Sequence, residues 1–184
     1  MPPDFDGIPG AAGFQQSNPS ALLVVSLLGS LEVFDEAGGI EAVREKSLQL
    51  TAYLERRLRR SKYFVDVKDL LKYKDTISEG VPDSSGIRGA STFTIITPQD
   101  PSSRGAQLSL LWPFDSTSTA DTPRPMRCVH DTLRHWGVIG DERDPDVIRF
   151  SPVPLYNTYQ DCERAASILE QVLDSLALET VGQS

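Results

Sequence analysis

The stretch whose residue types and spacing most directly imply chemistry is Ile148-Arg149-Phe150-Ser151-Pro152-Val153-Pro154-Leu155-Tyr156-Asn157. It opens with apolar and charged residues in alternation, the pattern of a strand end, and Arg149 is its only cation. Pro152 and Pro154 lack a backbone donor and have fixed φ, so neither a ladder nor a helix continues through them. The chain therefore leaves along one extended path, and Tyr156 and Asn157 are expected to brace the turn into a following helix. A guanidinium on a strand beside so rigid a bend is aimed in advance. Its natural targets are a carboxylate or a phosphate, since the planar fork meets either with two parallel charge-assisted bonds. A salt bridge to an acid of the same domain is the alternative, and the stretch by itself leaves both open.

The remaining reactive groups are poorly arranged for chemistry. Cys128 and Cys162 fall in helical patterns without metal-type spacing and read as reduced thiols. His130 and His135 lie on different helical faces, so no metal site is expected from them. Asp141, Glu142, Asp144 and Asp146 crowd one turn and read as a solvated feature rather than a metal site. Arg56-Arg57-Leu58-Arg59-Arg60-Ser61-Lys62 reads as a solvated helix terminus, where cations complement the dipole. No Gly-rich phosphate loop, nucleophile elbow or histidine–carboxylate motif is present. From the residues alone, the reading stops at a fragment or small domain that binds an anion.

The totals agree with that modest reading. A chain of 184 residues holds one good core, or one domain with a sizeable appendage. With 39% apolar and 24% charged residues it falls among soluble globular proteins. A net charge of −8, with no basic face gathered in the sequence, argues against nucleic acid. The first residues lack the basic and apolar regions of a signal peptide. The apolar run from Ala21 to Leu31 is about half of what a membrane span needs. A soluble, cytoplasmic protein is expected, without membrane partners.

The elements that must position Arg149 follow from periodicity. Residues 1–16 are rich in Pro and Gly and read as irregular lead-in, a loop cut out of something larger. Asn18 as cap with Pro19 at the first helical position starts a helix that runs to about Ala37 and stops at Gly38-Gly39. Its middle is apolar on every face, so it is expected to be buried or to pack on a partner chain. A second helix runs from Ile40 to about Arg60, with Ile40, Val43, Ser47, Leu50, Leu54 and Leu58 on one stripe. After Tyr63-Phe64-Val65, residues up to 89 read mostly as a surface excursion. Strands are expected at Thr92–Thr97 and Ala106–Leu111, then a mobile loop over 113–125. An amphipathic helix from Met126 to Trp136 buries Met126, Val129, Leu133 and Trp136 and ends at Gly137. Val138-Ile139 and Val147–Phe150 read as two short strands around the Asp141–Asp146 turn, and a last helix runs from about Thr158 to Leu178. The order β-β-α-β-β-α fits an α+β layer, an open sheet with helices on one face, preceded by two long helices.

Several segments carry a resemblance. Gly13-Phe14-Gln15-Gln16-Ser17-Asn18-Pro19, Arg104-Gly105-Ala106-Gln107-Leu108, Gly137-Val138, Asp141-Glu142-Arg143 and the stretch from Ile148 to Asn157 resemble the C-terminal part of kynureninase. The likeness covers most of residues 7–178, and the divergent parts, near 66–89 and 112–125, resemble insertions. Kynureninases are pyridoxal-phosphate hydrolases of the aspartate-aminotransferase superfamily, which cleave L-kynurenine or 3-hydroxykynurenine to anthranilate or 3-hydroxyanthranilate and L-alanine. That reaction belongs to tryptophan catabolism and NAD biosynthesis. The resemblance implies that residues 1–60 are the end of a large domain with long inter-domain helices, and that residues 61–184 form the small C-terminal domain of a transferase-like fold.

By matching position, the resemblance implies that Arg149 grips the substrate α-carboxylate, that Ser17 helps shape the kynurenine-ring pocket, and that Asn18 contacts the cofactor phosphate across a homodimer interface. For Asn18, helix capping remains an alternative that can hold at the same time. None of the lysines at 46, 62, 68, 72 and 74 matches a Schiff-base motif, and the aspartate for the pyridine nitrogen would lie upstream. No catalytic residue is therefore expected in this chain, which should be inactive alone, as a truncated enzyme or half of a split one. A non-catalytic module that pairs with a full-length enzyme through Ala21–Leu31 is the alternative. A related lyase such as a cysteine desulfurase shares the strand-arginine logic, but Pro-Val-Pro-Leu-Tyr-Asn is closer to kynureninase.

Overall fold

The computed structural model describes residues 7–15, 17–70, 92–113 and 124–181. The chain divides into two compact units, Met1–Val43 and Arg44–Ser184.

In the first unit, a 3-10 turn at Ala11–Phe14 gives the lead-in one piece of local order that composition alone does not reveal. Helix α1 follows at Ala21–Glu36, and its N-cap is Ser20, two residues beyond the expected Asn18. The reason is local: Pro19 permits a helix to begin but does not compel it, and Ser20 keeps an extended backbone. The chain turns out of α1 at Gly38 and Gly39, both at positive φ, where a side chain would be strained. No residue of α1 is buried, and Leu22 is 80% exposed. The expectation that this apolar helix lies in an interior is not met by the chain itself.

Helix α2 covers Gly39–Arg59. Leu50, Leu54 and Leu58, at four-residue steps, are fully or almost fully buried in the core of the second unit, with Ser47 and Thr51 beside them. Ile40, the first position of the expected stripe, is 61% exposed. The basic run at the end of α2 is not simply solvated. Arg57 pairs with Glu163 at 2.8 Å, Arg59 with Glu55 at 2.9 Å, and Lys62 with Asp174 at 2.7 Å. These cations tie α2 and the turn after it to their surroundings, a correction that sequence spacing could not supply for Arg57 and Lys62, whose partners Glu163 and Asp174 lie more than a hundred residues away.

Four short strands form one antiparallel sheet: β1 at Thr94–Ile95, β2 at Leu108–Leu111, β3 at Asp141–Arg143 and β4 at Val147–Phe150. Their spatial order is β1-β2-β4-β3. Phe64 adds an isolated parallel bridge to Phe93. The strands are shorter than the apolar runs suggested, because Thr92, Thr97 and Ala106 lie outside the ladders. Asp141–Arg143, expected as turn, is instead an edge strand, and Val138-Ile139 is not a strand. Edge strands tolerate and favour charge, which explains why apolar patterning misplaced it.

Helices α3, Pro125–His135, and α4, Tyr159–Val181, complete the unit. Met126, Val129 and Leu133 of α3 join Leu169, Val172 and Leu173 of α4, the α2 leucines, and Leu108, Leu110, Ile148 and Phe150 of the sheet in one core. Trp136, expected inward, is exposed because α3 ends before it and Gly137 turns the chain at positive φ. Alternation leaves every second residue of β2 and β4 on the other face. Arg149 is one of these. The fold is thus the expected α+β type, an open sheet covered by helices. Most of the two expected insertions, residues 71–89 of the first and 114–123 of the second, lies outside the described residues.

Candidate functional site

Arg149 sits in the middle of three strands, with Ser109 of β2 on one side and Asp141 of β3 on the other as its register partners. Cross-strand partners on one face bring side chains into contact. Here the contact is an ion pair: Arg149 Nε donates to Asp141 Oδ2 at 2.7 Å, and Nη2 donates to the same oxygen. Arg143 Nη2 reaches that oxygen too, at 2.9 Å. The Arg149 hydrogen bond, aided by the Arg143 charge, holds the Asp141 carboxyl below the usual carboxylate range. The own-domain salt bridge left open by the sequence is therefore present.

It engages only part of the guanidinium. Nε and Nη2 form one edge of the planar fork, while Nη1 and the second Nη2 hydrogen form another. Asp141 occupies the first edge. Among the described residues Nη1 has no hydrogen-bond partner. The side chain is 27% exposed, so that second edge can receive a further anion.

The bend after β4 fixes where the strand ends. Asn157 Oδ1 accepts from Val153 N at 2.8 Å, and Asn157 N donates back to Val153 O at 2.8 Å. Lys46 Nζ donates to the Pro154 carbonyl. Tyr156 contributes a backbone bond to Val153 O, and its ring is exposed. Just beyond, Thr158 and Asp161 cap α4 reciprocally: Thr158 N donates to Asp161 Oδ2 at 2.8 Å, and Asp161 N donates to Thr158 Oγ1 at 3.2 Å.

The acids of the β3–β4 hairpin are not a freely solvated cluster. Arg127 of α3 pairs with Glu142 at 3.1 Å and Asp144 at 3.3 Å, Arg124 lies 3.5 Å from Asp146, and Asp146 is buried. The positive residues of α3 neutralise them, a pairing invisible until helix and hairpin are packed. His130 is buried beside this network, with Nδ1 3.8 Å from Glu142 and no hydrogen bond. Cys128 and Cys162 are both free thiols, and burial pushes the Cys162 thiol up. Among the described residues no group of three or more metal-ligating side chains forms, and no helix is long and apolar enough to cross a membrane.

Ser17 and Asn18 belong to the first unit. Both are exposed, and the Ser17 carbonyl accepts from Gln15 Nε2 at 2.9 Å. Neither Asn18 nor the N-cap Ser20 makes a side-chain capping bond to α1, so the first-turn N–H groups keep their donor capacity. In the second unit a cavity of about 200 Å³ is lined by Leu54, Val138, Phe150, Ser151, Asn157 and Arg164 among others. Arg149 does not line it, as the strand alternation requires.

Asp141 is the partner of Arg149 that sequence reasoning missed. The signal was available: a hairpin centred on Pro145 places residues 141 and 149 opposite each other.

Residues 84–169 match the family described as the kynureninase C-terminal domain. The chain is 43% identical over 171 residues to the kynureninase of Yarrowia lipolytica, which covers 93% of this chain and 35% of that protein. It is 42% identical over 177 residues to that of Eremothecium gossypii, covering 96% of the chain and 35% of the relative. With that of Vanderwaltozyma polyspora the figures are 44% over 174 residues, 94% and 34%. The chain spans about a third of the length of the curated relatives it matches.

Proposed function

We propose, from the chain's likeness to the C-terminal part of kynureninase, that it supplies the carboxylate grip of a pyridoxal-phosphate hydrolase acting on L-kynurenine or 3-hydroxykynurenine. The products are anthranilate or 3-hydroxyanthranilate and L-alanine. The observation that supports this is the half-engaged guanidinium of Arg149, anchored on one edge and open on the other. Two charge-assisted bonds from the open edge to the substrate α-carboxylate would contribute about 1.5–3 kcal/mol each. They would also fix the orientation of the amino acid, which governs which bond is aligned for cleavage.

Asn18 and the uncapped first turn of α1 fit a contact with the cofactor phosphate, because unfilled N–H donors at a helix start favour an anion. On this reading Ser17 shapes the pocket for the substrate ring, and the assembly is a homodimer. When bound, pyridoxal phosphate supplies the electron sink for the cleavage. Among the described lysines, Lys46 is engaged with the Pro154 carbonyl, Lys62 with Asp174, and Lys68 is exposed. On this reading the imine lysine and the acid facing the ring nitrogen belong to the part of the relatives that this chain does not match, about two thirds of their length, and residues 1–184 alone should not turn over substrate.

Fusing residues 1–184 to the upstream two thirds of the Yarrowia lipolytica relative tests the reading. Anthranilate fluorescence should appear with kynurenine and be lost on Arg149→Ala. A correctly folded, cofactor-loaded fusion without activity, or an Arg149→Ala fusion with normal KM, would overturn it.

A further inference from the structure

We infer that Asp141 is the positioning residue that aims Arg149 at the substrate. This rests on reading Arg149 as the carboxylate grip. Asp141 and Arg149 are register partners across the β3–β4 ladder, so the acid is held beside the guanidinium by backbone hydrogen bonds, not by chance side-chain reach. Its Oδ2 receives both Nε and Nη2, which fixes the plane of the fork and leaves Nη1 without a hydrogen-bond partner among the described residues. A long arginine without this anchor would sample many rotamers before meeting a ligand.

An acid this close could also quench the arginine's charge. Arg143 prevents that. It shares the same Asp141 oxygen at 2.9 Å, so the three groups carry two positive charges and one negative, a net of +1. An incoming carboxylate brings that local sum to zero. The triad thus orients Arg149 without making it neutral to the substrate, and Asp141 itself never touches the reacting atoms.

A double-mutant cycle in the full-length fusion separates this role from plain structural support. Asp141→Asn should lower kcat/KM for kynurenine about tenfold, chiefly through KM, because a misaimed fork loses the aligned pose. In an Arg149→Gln background the same substitution should change kcat/KM less than about twofold, since no aimed fork remains. Asp141→Glu keeps the charge but displaces it, and should fall between wild type and Asp141→Asn. An unchanged kcat/KM in folded Asp141→Asn, or an equal loss in both backgrounds, would overturn the positioning role. An Arg149→Gln fusion with wild-type kcat/KM would instead overturn the grip reading beneath it.

Discussion

Glu55 of α2 and Arg104 of the loop before β2 form the most enclosed ion pair among the described residues, with Arg104 Nη2 donating to Glu55 Oε2 at 2.5 Å and side chains only 5% and 12% exposed. The pair pins the β1–β2 connection: Arg104 also donates to the Pro98 carbonyl, and Arg44 donates to the carbonyls of Pro101 and Arg104. Removing one partner leaves the other charge buried and unpaired, which costs about 3–5 kcal/mol in such settings. Arg104→Ala should therefore lower unfolding stability by about 3 kcal/mol, whereas Arg104→Met with Glu55→Leu should cost less than either single change. Urea denaturation of the wild type, Arg104→Ala, Arg104→Met, Glu55→Leu and the double variant measures both, and a double variant weaker than both of its singles would contradict the pairing.

The same acid dictates part of the pH response. Burial pushes the Glu55 carboxyl up, but the Arg104 and Arg59 hydrogen bonds outweigh it and leave the group below its ordinary 4.5. Arg57 does the same for Glu163, and Lys62 for Asp174, chiefly by hydrogen bonding. A carboxyl lowered in the folded state contributes stability above its unfolded value and loses it as pH falls through the folded one. The urea midpoint should thus hold steady down to about 4.5, the ordinary glutamate value, and drop progressively below it. Glu55→Gln should flatten that acid limb, and an acid limb of unchanged depth would show that Glu55 does not contribute to it.

Where periodicity was unopposed the fold was legible in the sequence. Leu50, Leu54 and Leu58, the α3 set Met126, Val129 and Leu133, and the α4 set Ile168, Leu169, Val172 and Leu173 all pack inward as their spacing required. Asp141–Arg143 was missed because a charged edge strand carries no apolar alternation. Arg149 was legible as a strand cation beside a rigid bend, but its ion pair with Asp141 was not, since ion-pair partners depend on register and packing. Trp136 was misplaced by extending a helical stripe one residue past the helix end.

The fork geometry makes a further distinction within the proposed enzyme. Lysine keeps the positive charge of Arg149 but offers no planar pair of edges, so it cannot bind Asp141 on one side and a carboxylate bidentately on the other. In the full-length fusion, Arg149→Gln should reduce kcat/KM for kynurenine by about 100-fold or more, the equivalent of losing two charge-assisted bonds of about 1.5 kcal/mol or more each. Arg149→Lys should recover only a small part of that loss. Steady-state kinetics with both variants decides it, and full recovery by lysine would mean that charge alone, without the fork, accounts for the grip.

Two leucines that composition treats alike have opposite surroundings, and this yields the sharpest stability contrast. Leu50 is 0% exposed in the core of the second unit, whereas Leu27 on α1 is 61% exposed. Truncating a buried leucine removes its transfer free energy and leaves a cavity, so Leu50→Ala should cost about 2–5 kcal/mol. Leu27→Ala removes little buried area and favours the helix, so it should change stability by less than about 0.5 kcal/mol. Thermal or urea unfolding of the two single variants of residues 1–184 provides the comparison. A cost for Leu27→Ala close to that of Leu50→Ala would mean that α1 is buried in solution, against the exposure its side chains show.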